Sequence, residues 1–159
     1  MKLIVCFLIM LVSVKDCNNK TETSNAVAPE QSEMRMTQKD MKVSYRASTR
    51  GFFQVIEIVG DSISYTNDYN LKDFKTFAIP SEEKQALQTL LSEIDIKELP
   101  NLKPPSKTHQ YDAAPAAFLK VNTGDEEFMT PTFDHGKPPK MISDIVEKIL
   151  SIKTMFDKP

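Results

Sequence analysis

FFQVIEIVGDSISYT, residues 52–66, is a β-hairpin written in sequence. Its first eight residues are β-branched, aromatic or apolar with little interruption, and its last five alternate around Ile63 and Tyr65. Gly60-Asp61 stands between the two runs, and glycine first in a two-residue loop suits a primed turn, whose twist matches that of the flanking strands. Upstream, Val43, Tyr45 and Ala47 alternate with polar residues, which predicts a further strand beginning near Met41. Downstream, Asn67-Asp68-Tyr69-Asn70 reads as a second turn and Phe74 to Ile79 as another strand.

A helix is expected after Pro80. Ser81 is the expected cap, Glu82 and Glu83 complement the positive end of the dipole, and Leu87, Leu90, Leu91 and Ile94 form one apolar stripe. Pro100 is expected to end that unit. The second half repeats the scheme with fewer pieces. Ala116 to Asn122 and Glu126 to Phe133 read as strands around Gly124-Asp125, with Pro131 placing the second strand at an edge or near its end. Pro138-Pro139 suits the first turn of a helix whose stripe is Met141, Ile142, Ile145, Val146, Ile149 and Leu150. The fold class is therefore α+β: an antiparallel sheet with two helices packed on one face, from a strands-then-helix pattern occurring twice.

The amino terminus supplies an address. Residues 1–16 read as an export signal: an apolar run from Leu3 to Val14 follows Lys2, and the chain turns polar at Lys15. This run of twelve residues, apolar but for Ser13, is too short for a bilayer core, which takes about 20 helical residues. Cys17 follows at once, as in a bacterial lipoprotein signal, where that thiol receives the lipid. Asp16 stands where such signals carry a small residue, so cleavage after Ser13 to give a secreted protein and an uncut anchor remain competing readings. Residues 17–40 read as a flexible tether, polar and without apolar periodicity, with a reach of about 25–30 Å. Residues 41–159 are expected to form a single domain.

Composition narrows the classes of activity. With Cys6 inside the signal, the mature chain holds at most Cys17, which excludes an internal disulfide or a cysteine-based zinc site. Residues 1–16 contain Lys2, Lys15 and Asp16, so the remainder carries 18 basic against 21 acidic groups, net −3. That balance, with only three arginines, speaks against a nucleic-acid partner. There is no Gly-rich phosphate loop, no G-x-S-x-G and no H-E-x-x-H, and no cofactor or metal is expected.

Any chemistry must sit in two loops, LPNLKPPSKTHQYD at 99–112 and TFDHGKPP at 132–139. Their LPNL-K-P, Y-D-x-A and TFDHG-x-PP segments resemble those of a group of small bacterial envelope proteins, over about Tyr45 to Ile152. Ala113 follows Asp112 here, where that group more typically has glycine. The resemblance implies fold and envelope location and carries no activity. Both histidines lie in these loops, beside acids: His109, Tyr111 and Asp112 in one, Asp134 and His135 in the other. Convergence of the loops would permit a metal site or an acid–base pair. The opposing reading makes Asp134-His135-Gly136 a turn whose aspartate accepts backbone N–H bonds, with Tyr111 a packed ring and Asp112 a turn-maker. Lys97, Lys103 and Lys107 are either solvated or set to meet anionic lipid or glycan groups. The expected function is thus a non-enzymatic, lipid-anchored envelope protein that binds a protein or glycan partner through the surface formed by His109, Tyr111, Asp112, Asp134 and His135. The alternatives are a small secreted metal-binding protein or enzyme built on those loops, and a periplasmic enzyme inhibitor presenting residues 99–112.

Overall fold

The computed structural model describes residues 41–157, so the signal at 1–16, Cys17 and the tether at 17–40 lie outside the described residues. The hairpin forms as read. Strands β1 (Met41–Thr49), β2 (Phe52–Val59), β3 (Ser62–Thr66) and β4 (Lys75–Ala78) follow one another as an antiparallel meander. Val59 pairs with Ser62 across Gly60-Asp61, and Gly60 takes φ +57°, the left-handed backbone that glycine adopts without penalty. The next turn is built by Asp68, whose carboxylate accepts from the backbone N–H groups of Asn70 (3.0 Å) and Lys72 (3.1 Å). These bonds hold the Asp68 carboxyl below its ordinary pKa.

Helix α1 (Ser81–Ser92) follows, then 3-10 turns at Ile96–Asn101 and Thr108–Tyr111. Strand β5 (Ala116–Thr123) returns beside β1, and β6 (Glu126–Met129), β7 (Phe133–Asp134) and helix α2 (Ser143–Phe156) complete the chain. The sheet runs β4-β3-β2-β1-β5-β6, with β7 also on β5, and every pairing is antiparallel. The architecture is α+β with the helices on one face. Alternation along β1, β2 and β5 delivers Val43, Tyr45, Ile56, Ile58, Leu119 and Val121 to that face, where they meet Leu87 and Leu91 of α1 and Ile145, Ile149 and Ile152 of α2.

Local expectations are corrected in four places. Ser81 is the first helical residue and makes no side-chain cap; Pro80 precedes it as the cap residue with φ −55°. Pro100 lies inside the 3-10 turn at Ile96–Asn101 rather than ending a helix, since α1 has already stopped at Ser92. The strand expected over 126–133 is broken in two. Pro131 has no N–H to give, and Thr130 bridges the gap with both its groups: its N–H donates to the Leu119 carbonyl (2.9 Å) and its hydroxyl accepts from the Leu119 N–H (3.1 Å). The last difference is at the second helix, which begins at Ser143: Met141 lies in a 3-10 turn ahead of it (Lys140–Ile142) and is exposed, and Ile152 joins the buried stripe.

Candidate functional site

The outer edge of β5 is shared by β6 and β7, and the break between them brings the 132–139 loop against the 99–112 loop. In β7, Ala117 pairs with Phe133 and Ala116 with Asp134, so alternation sends Phe133 and His135 to the core side and Asp134 the other way. Two separate constellations result, one on either side of Asp134.

On the core side, His135 meets Tyr45. The phenol oxygen and His135 Nδ1 are 2.7 Å apart. Tyr45 is fully buried, which pushes its hydroxyl above the ordinary tyrosine pKa, and burial pushes His135 below the ordinary histidine value. Both shifts favour neutral groups, and which of the phenol and Nδ1 donates is set by the imidazole tautomer. The imidazole also lies 5.3 Å from the Phe52 ring and 6.0 Å from that of Tyr45, centroid to centroid. This histidine is packed and satisfied, and it is a structural member of an aromatic cluster.

On the other side the Asp134 carboxylate is 1 % exposed and accepts five bonds from the 99–112 loop. Oδ2 takes the hydroxyls of Ser106 (2.5 Å) and Thr108 (2.7 Å) and the Thr108 N–H (2.9 Å). Oδ1 takes the His109 N–H (2.7 Å) and its ring Nδ1–H (2.6 Å). Burial alone would raise the Asp134 pKa, but the hydroxyl and amide donors outweigh it and hold the carboxyl well below the usual carboxylate range. An ionised carboxylate cannot donate, so Nδ1 must carry the proton. His109 also lines a cleft of about 370 Å3, together with Pro104, Lys107, Gln110, Pro131 and Thr132.

The turn expected at Asp134-His135-Gly136 is present, with the Lys137 N–H on the Asp134 carbonyl (2.8 Å) and Gly136 at φ +82°. Its aspartate side chain, however, accepts N–H groups from a loop about 25 residues away instead of its own. Tyr111 is corrected: it is 82 % exposed and not a packed ring. Asp112 closes the 3-10 turn in left-handed backbone at φ 56°, its N–H on the His109 carbonyl, and is exposed. The loops therefore unite His109 with Asp134, leave Asp112 in solvent, and turn His135 away to Tyr45. Ser106 and Thr108, which complete the carboxylate's shell, were not singled out in the sequence. The S-x-T spacing ahead of His109 is a signal only once the loop is known to fold over an acid. Among the described residues no group of three or more His, Cys, Asp or Glu side chains is placed to hold a metal ion, and no helix is long and apolar enough to cross a membrane. No protein-family model matches this chain, and no curated protein matches it either.

Proposed function

We propose that this chain is a non-enzymatic, lipid-anchored protein of the bacterial envelope that binds a protein or glycan partner through the loop at 99–112. The observation that carries the reading is the loop's construction. Leu99 is fully buried at its start, the Asp134 carboxylate clamps its centre, and Tyr111 is left 82 % exposed at its end. An exposed aromatic on a backbone fixed in advance is how a binding surface avoids ordering costs on association. Its two 3-10 turns and the prolines at 100, 104 and 105 stiffen it further. Export and anchoring rest on the leader and Cys17.

The test is affinity purification of the tagged full chain from intact envelopes, beside a Tyr111→Ala variant that unfolds at the same temperature. The reading expects a partner that co-purifies with the parent and falls by about tenfold with Tyr111→Ala, the size of effect a central interface aromatic has. Equal recovery with both chains would refute it.

A second reading has an observation of its own. An imidazole whose Nδ1–H is fixed by a buried carboxylate, on a residue that lines a cleft, is the arrangement of a general base. A small hydrolytic enzyme built on His109 and Asp134 would lose turnover on His109→Gln while keeping its fold.

A further inference from the structure

The cleft beside His109 is open on one side, and its lining mixes apolar groups with polar ones. Lys107 lines it, Lys103 precedes Pro104 of the lining in the chain, and Lys137 follows the Asp134 turn. All three lysines are exposed, and among the described residues none of them forms an ion pair, whereas Lys42, Lys84, Lys120, Lys148 and Lys153 each have a carboxylate partner. Asp134, bonded to His109, has its carboxylate taken up by five donors, and the exposed Asp112 stands two residues after Gln110. The remaining polar lining groups, the Gln110 amide and the Thr132 hydroxyl, are able to donate.

We propose that this cleft receives an oxyanion, a carboxylate or phosphate group, held by Lys107, Gln110 and Thr132 in the lining they share with His109, Pro104 and Pro131. The proposal rests on the binding-module reading and names the chemistry its partner would present: an acidic group carried on the glycan or protein. A neutral sugar would leave the lysines unanswered, and an amine would be repelled by them.

The experiment is a titration of the 15N-labelled full chain, in a non-ionic detergent, with sodium phosphate, sodium acetate and, separately, methyl glucoside. Ionic strength is held constant with sodium chloride so that general screening is the same in every sample. Phosphate and acetate should shift the amide signals of Lys107, His109, Gln110 and Thr132 saturably, with Kd of about 1–10 mM, as suits a single small ion on an open site. Lys107→Ala should weaken this by about fivefold and Lys97→Ala, at an exposed lysine outside the lining, should not. No saturable shift up to about 100 mM would overturn the proposal. So would shifts spread evenly over the surface lysines, or methyl glucoside binding as tightly as the anions. Each of those results alongside Tyr111-dependent capture from envelopes would discard the anion site and leave the binding-module reading standing.

Discussion

The bond between Tyr45 and His135 joins residues 90 apart in sequence, and a double-mutant cycle weighs it directly. Tyr45→Phe removes one oxygen from a fully buried ring and leaves His135 Nδ1 without its partner. The orphaned nitrogen belongs to a half-buried residue, so the expected loss is at the low end of that for an unsatisfied group, about 1 kcal/mol. His135→Ala removes the same bond and, in addition, the ring contacts with Phe52 and Tyr45, for about 2 kcal/mol. If the two side chains act through one hydrogen bond, the double variant should lose about 1 kcal/mol less than the sum. Urea unfolding of the four chains, with m unchanged, reads this against a total of about 6–17 kcal/mol for a domain of this length. Additive losses, to within about 0.3 kcal/mol, would refute the bond. Acid supplies a second readout. Because burial lowers the folded His135 pKa, the unfolded chain takes up the proton first as pH falls. The stability due to the neutral ring is thus fully present above the unfolded value of about 6.5 and is lost as pH drops through the lower folded value. That part of the acid loss should vanish in His135→Ala.

Three further outcomes are expected. Ile145→Ala, at a fully buried site on α2, should cost about 3 kcal/mol, and Leu90→Ala, half-buried on α1, about 1–2 kcal/mol, measured by the same melts. Asp134→Ala should strip hydrogen-exchange protection from the Thr108 and His109 amides while the central strands keep theirs. In the parent this carboxylate stabilises the fold above the unfolded aspartate pKa, and that contribution is lost as pH falls through its depressed folded value, so acid should loosen the same two amides. Cys17→Ser should move the protein from the membrane to the soluble fraction, and a variant as membrane-bound as its parent would dismiss the lipid anchor.

The meander and the helix stripes were legible because their signals are local. Gly60-Asp61 marks a turn by itself, and the spacing of Ile145, Val146 and Ile149 shows one helical face without reference to anything else. Thr130 was not legible, because whether a strand breaks at Pro131 depends on which neighbour supplies the missing bonds. The candidate site was legible only as a set of residues. Five polar side chains in two loops admit many pairings, and the choice between them follows from strand alternation at Phe133-Asp134-His135, a feature of three residues. That alternation sends adjacent residues to opposite sides, which is why the aspartate finds His109 and not the histidine beside it. Tyr111 was misjudged as packed for a related reason: aromaticity signals burial on average, and only the left-handed turn at Asp112 reveals that the chain reverses before the ring can be covered.

The position of β1 in the sheet has a mechanical meaning. It is the first strand among the described residues, yet it lies in the interior of the sheet, paired from Lys42 to Thr49 with β2 on one side and from Met41 to Ser48 with β5 on the other. A pull on the chain ahead of Met41 is directed along the strand axis, perpendicular to two rows of hydrogen bonds. Those rows bear the load together in shear, rather than opening one bond at a time as a peeled edge strand would. Tension entering at residue 41 therefore meets the sheet where it is hardest to tear.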